Sequence, residues 1–139
     1  MAVHGALTAR GAVPRIVAAR LGPVKTIGGD TLDPDATRET MPSCLFDAVA
    51  IPDGQLSGEA LAALGHAVEF AKDQYRHCKA LLANGHGRVL LDKATIPLEG
   101  DDAALFLVDR GDPEAGIEDF IAAVGRHRNW DRATDPPAV

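Results

Sequence analysis

The sequence is short of the residues from which disulfide, metal and cofactor sites are usually made. It has two cysteines, Cys44 and Cys78, one tyrosine and one tryptophan in 139 residues. Two thiols without CxxC spacing make neither a disulfide framework nor a zinc site. Each reads instead as a small hydrophobe. His66, His77 and His127 have no ligand-like spacing, and a metal needs several convergent ligands, so no metal is expected. A GxGxxG dinucleotide fingerprint is absent. No apolar run reaches the roughly 18 residues that cross a bilayer. The first five residues lack the basic start and apolar stretch of a signal peptide. The expectation is a cytoplasmic protein without a membrane partner. Positive charge is also scarce: 14 Lys and Arg stand against 20 Asp and Glu, a formal net charge of −6. A nucleic-acid binder needs a basic face, so no nucleic-acid partner is expected.

What remains is an ordinary globular composition, 46% hydrophobic and 24% charged, enough for one domain with one core. Val3 and Leu7 share a face in a short helix over residues 2–10, stopped by Gly11. Residues 13–19, with Val13, Ile16 and Val17, read as a mostly buried strand with Pro14 near its start. Residues 24–32 read as a small hairpin turning at Gly28-Gly29, and residues 33–41 as a polar loop. Residues 46–51 form a second core strand, ended by Pro52-Asp53-Gly54. Residues 57–76 read helical, with Leu61, Leu64, Val68, Ala71 and Tyr75 in one stripe and Ser57 as N-cap. Gly65 divides this stretch into two helices. Residues 79–83 give a third strand, and Asn84-Gly85-His86-Gly87 a tight turn that opens a helix to Asp92 or Lys93. Residues 105–108 are a fourth strand. In the last helix Asp112 is the cap, Pro113 sits in the first turn, and Ile117, Phe120, Ile121 and Val124 are the buried stripe. Residues 133–139 read as a frayed tail.

Strands alternating with helices predict an α/β fold with a mostly parallel sheet covered on both faces, the doubly wound, flavodoxin-like pattern. The chain opens, however, with the helix that would follow a central first strand. A sheet lacking that strand would leave two rows of unpaired backbone groups. Another chain, a swapped segment or upstream residues would have to replace it, unless the strand order differs.

Three segments carry a family signature. They are residues 11–26 (GAVPRIVAARLGPVKT), residues 42–54 (PSCLFDAVAIPDG), and residues 71–79 (AKDQYRHCK) taken with the ending 127–132 (HRNWDR). Together they resemble the C-terminal domain of large-subunit haem catalases. That domain is similar to the class I glutamine amidotransferase and DJ-1/PfpI superfamily. The resemblance implies an oxidative-stress context, since the full-length family converts hydrogen peroxide to water and oxygen on haem. That haem sits in an N-terminal core with no counterpart in this chain, so no cofactor is expected here. It also implies a domain over residues 1–132 and a partner that is either another copy or a catalase-type core.

Enzymes of the DJ-1/PfpI type hold a reactive cysteine on the strained turn between a strand and a helix, where amides and the helix terminus favour thiolate. By this alignment the elbow position is Asn84, which is no nucleophile. Cys44 and Cys78 fall elsewhere, and the supporting carboxylate of those enzymes belongs to the missing first strand. Asp53 stands where those enzymes usually have glycine, and its charge would oppose a developing oxyanion. The expectation is a non-catalytic structural or interaction domain. Two rival readings remain: a cysteine hydrolase or chaperone of the DJ-1/PfpI type using Cys44 or Cys78, and a small-ligand site formed by Asp53, Gly54, Gly85 and His86. Arg126, His127, Arg128 and Arg132 complement the dipole of the last helix. Trp130 is expected to anchor the tail on this domain or on a neighbouring subunit.

Overall fold

The computed structural model describes residues 2–26, 28–110, 112 and 114–139. Its centre is a three-stranded parallel sheet in the order β5-β6-β7, formed by Ala48–Ile51, Ala80–Asn84 and Leu105–Val108. The apolar run of β6 follows from its position. Ala80, Leu81, Leu82 and Ala83 are all buried, because neighbours pair on both edges and helices cover both faces.

The two-residue alternation of a strand divides β6 between two cores. Leu81 and Ala83 pack with Ala67, Ala71 and Tyr75 of helix α3 (Gly65–Arg76) and with Leu90 and Leu91 of α4 (Arg88–Lys93). Ala80 and Leu82 pack with Phe120 and Ala123 of α5 (Ile117–Gly125), and Val3 and Leu7 of α1 (Ala2–Ala9) join from outside. Burying each leucine here contributes about 2 kcal/mol. Phe120 meets Phe106 edge to face, with centroids 6.0 Å apart.

The stretch expected to be helical over residues 57–76 is two helices, broken before Gly65, where Leu64 turns extended (φ −97°, ψ 110°). The first of them, α2 (Gln55–Ala62), begins earlier than expected. Gly54, not Ser57, is its N-cap, and its φ of 143° suits only glycine. The hairpin is present as β2 (Val24–Lys25) against β3 (Thr31–Leu32); Ile27 lies outside the described residues.

Two readings need correction. Residues 13–19 are not a buried strand: Val13 is 74% exposed, and only Val17–Ala18 pair, as β1. Their partner is β4 (Ala36–Thr37), inside the segment expected to be a polar loop. Asp35 secures this pairing. Its carboxylate accepts from the Ile16 amide at 2.7 Å and meets Arg15 at 3.3 Å. A β-branched run records extended backbone, but burial depends on what lies on both sides of it. The start of the last helix differs too. Asp112 accepts from the Ala115 amide at 3.1 Å in a preceding turn, and α5 begins only after left-handed Gly116. Pro113 lies outside the described residues.

Candidate functional site

The carboxyl ends of β5, β6 and β7 bring Asp53, Asn84, Gly85, His86 and Arg110 together, where doubly wound sheets bind ligands. After β6 the chain enters a short 3-10 turn, Gly85–Gly87, and then α4. A nucleophile elbow keeps its side chain on a strained backbone. Asn84, expected at that position, is instead the relaxed last residue of β6, with φ −91° and ψ 130°. The left-handed residue is Gly85, with φ 47°. The strained position therefore carries no side chain at all.

Asp53 explains why. A Cβ at Gly85 would lie 2.3 Å from Oδ1 of Asp53 and 3.0 Å from Oδ2. The carboxylate occupies the volume into which a side chain at the elbow would project. Its Oδ1 accepts from the Gly54 amide at 2.8 Å and the His86 amide at 2.9 Å. Oδ2 lies 3.5 Å from Nε of Arg110. The His86 amide bond holds the Asp53 carboxyl below its usual pKa; burial opposes it, and the Gly54 amide and the Arg110 charge add to it. Nδ1 of His86 sits 3.5 Å from Oδ1. Thus Asp53, Gly54, Gly85 and His86 do converge, but amides that could bind an anion are already given to Asp53. From the other side, the His86 carbonyl lies 2.6 Å from where a Cβ at Gly58 would be, so α2 also needs glycine to pack on this turn.

Neither thiol reaches the turn. Cys44 is exposed in the 3-10 turn Ser43–Leu45, and Cys78 is buried ahead of β6. Among the described residues, no cluster of His, Cys, Asp and Glu could hold a metal. A hollow of about 640 Å³ beside Gly65, His66, Glu69 and Lys93 shares no residue with the Asp53 cluster.

The opposite end of β6 holds what the sequence reading left dispersed. Lys79 is 2% exposed, and its Nζ donates to the carbonyls of Phe46, Cys44 (3.0 Å) and Ser43 (3.5 Å). Buried Gln74 donates to Ser43 as well. Burial, and next the Arg128 charge, push the Lys79 ammonium below its ordinary pKa. Arg132 grips Asp102 through Nε (2.6 Å) and Nη2 (2.8 Å), and donates from Nη1 to the Lys79 carbonyl at 2.6 Å. Its guanidinium carbon lies 4.5 Å over the Tyr75 ring. Arg128 donates to the His77 carbonyl, and the Asn129 amide to that of Cys78 at 2.7 Å. The basic ending is therefore a clasp on the start of β6 rather than only a dipole cap. Trp130 is 68% exposed and does not anchor on this domain. Beyond the clasp, residues 133–139 form no helix or strand; Val139 packs partly against the core, and its carbonyl accepts from Arg76.

A parallel sheet covered on both faces, with a glycine-bearing turn at the carboxyl end of its central strand, defines the class of DJ-1/ThiJ/PfpI-like folds. Solved structures agree. A two-domain protein from Anabaena variabilis, with DJ-1/ThiJ/PfpI-like and ferritin-like domains, superposes with a TM-score of 0.81 at 18% identity, over 89% of this chain and 43% of that one. DJ-1 from Schizosaccharomyces pombe gives 0.68 at 12% identity, over 90% and 80%. At the level of sequence, residues 1–134 match the family of the C-terminal domain found in long catalases, and the chain belongs to that family. Catalase HPII from Pseudomonas putida is 34% identical over 96% of this chain, and that from Mycobacterium avium 36% over 91%. Catalase-1 from Neurospora crassa is 27% identical over 96%. The chain spans only 18%, 19% and 21% of these three proteins.

Haem in catalases is held by a tyrosinate. The single tyrosine here, Tyr75, is buried beneath Arg132. Burial, and next the Asp102 charge, raise its pKa, which opposes the tyrosinate. The residues present do not fit that ligation.

Proposed function

We propose that this chain is a non-catalytic structural or interaction domain of the long-catalase type. One observation carries the reading: the strained turn residue is Gly85, and the Asp53 carboxylate fills the space beside it. A thiol hydrolase needs its sulfur at that place, with free amides to stabilise an oxyanion. Here the sulfur position is glycine, and the His86 and Gly54 amides bind a carboxylate. The same occupation works against a small-anion site at Asp53, Gly54, Gly85 and His86. In this reading the chain is cytoplasmic and needs no haem, and the peroxide chemistry of the long relatives resides in the parts of them that this chain does not cover. Its partners are a catalase-type core or further copies of itself.

The test uses the purified chain. After incubation with hemin and desalting it should retain no Soret band, and it should release no oxygen from hydrogen peroxide. Its thiols should alkylate at pH 6 no faster than a free cysteine. Peroxide turnover, or one thiol reacting far faster than free cysteine, would overturn the reading.

A further inference from the structure

Three cations gather around the start of β6 without a carboxylate of their own. Arg126 donates to the Ala103 carbonyl at 3.0 Å, and Arg128 to that of His77. Buried Lys79 donates to the carbonyls of residues 43, 44 and 46. Among the described residues none of the three makes an ion pair, whereas Arg10, Arg15, Arg76, Arg88, Arg110 and Arg132 all do. Arg128 and Lys79 repel each other, and Asp47 offsets that repulsion more weakly. Trp130 follows two residues beyond Arg128 and is exposed. Its turn is not a frayed end. The Asn129 amide before it is bonded to the Cys78 carbonyl, and Arg132 after it is fixed to Asp102 and to the Lys79 carbonyl. The turn Ser43–Leu45, which Lys79 holds, leaves a second apolar side chain in water, Leu45, 63% exposed.

We propose that this face docks an acidic segment of a partner polypeptide, its carboxylates meeting Arg126 and Arg128 and an apolar side chain between them packing on Trp130. Charge complementarity selects the occupant. The guanidinium fork matches a carboxylate, and a carboxylate placed here relieves the repulsion between Arg128 and Lys79. Tryptophan and arginine are the residues in which binding hot spots are richest. Because the turn that carries Trp130 is already held on both sides, docking loses little in ordering it. A nucleic acid suits the face less well: Asp131 lies within the turn, and the chain carries a net charge of −6. The same net charge works against a second copy of the chain.

This inference rests on the reading of the chain as an interaction domain and names the chemistry of its partner. The titration below interrogates only this face, whereas the peroxide and thiol assays interrogate only catalysis, so either can fail alone. Trp130 is the only tryptophan, so its emission reports on this face. N-acetylated, C-amidated Asp-Glu-Leu-Glu-Asp is titrated into the full chain at low salt, followed by tryptophan emission and by calorimetry. A saturable shift of the emission to shorter wavelength is expected. The amide counterpart, Asn-Gln-Leu-Gln-Asn, should bind about tenfold more weakly, as should the acidic peptide to Arg126→Gln. Trp130→Ala, read by calorimetry, should cost about thirtyfold. Circular dichroism checks that both variants fold, and the comparison of the two peptides needs no variant. The proposal would be overturned by absence of saturable binding, by equal binding of the amide peptide, or by a folded Trp130→Ala that binds like the parent. Equal affinity for single-stranded DNA, or an emission shift that grows with protein concentration alone, would overturn it too.

Discussion

The two ends of β6 do opposite things with the same materials of backbone amides, carbonyls and a few charges. At its amino end, Lys79 satisfies carbonyls of residues 43–46, Arg128 and Arg132 satisfy those of His77 and Lys79, and Asp102 neutralises Arg132. At its carboxyl end the backbone bends at Gly85, yet the Asp53 carboxylate fills the space beside that residue. The difference teaches that a fold can keep the geometry of an active turn while its stability is invested elsewhere.

Breaking the amino end should have the largest effect. Arg132→Ala removes a largely buried cation and leaves Asp102 unpaired, which should cost about 3 kcal/mol in urea unfolding. At the carboxyl end, Gly85→Ala should cost about 2 kcal/mol, from the Asp53 clash and the left-handed backbone together. Adding Asp53→Gly should remove the clash and leave about 1 kcal/mol of backbone cost, a non-additivity that a double-mutant cycle measures. Additive effects would mean that Asp53 does not occupy the turn.

The clasp should also set the acid limb of stability. Burial raises the Asp102 pKa, but the Arg132 hydrogen bonds and charge and the Ala104 amide outweigh it, so the folded value lies below that of an ordinary aspartate. A depressed carboxyl pKa contributes stability that is present above the unfolded value and lost as pH falls through the folded one. Unfolding free energy should therefore decline below about pH 4, and Asp102→Asn should be weaker at neutral pH with a shallower decline. The smallest effect is expected from Cys44→Ser, which leaves the unfolding midpoint unchanged because the side chain is exposed; in the parent, Ellman's reagent should count one thiol before unfolding and two after.

The alternating core was legible because β6 and β7 are short apolar runs with turns at each end, and α3 and α5 have stripes of helical period. The hairpin was legible from Gly28-Gly29. The run at residues 13–19 misled because its residues favour extension without saying what will lie beside them. The elbow was off by one residue for a similar reason: Asn84 and Gly85 are both plausible turn residues, and only the backbone angles distinguish strand end from bend. The clasp was half visible. The segments around Tyr75, Cys78, Lys79 and Arg132 stood out together, but nothing local connects Lys79 to the carbonyls of residues 43–46.

The sequence alone determined the class of fold, the absence of a cysteine in the turn and the lack of an apolar run long enough to cross a membrane, since these depend on residue type and on periodicity along the chain. Only the tertiary structure decided that Asp53 fills the turn and that Lys79 and Arg132 join distant segments. Those are relations between residues more than twenty positions apart, and they exist only once packing has brought the backbones together.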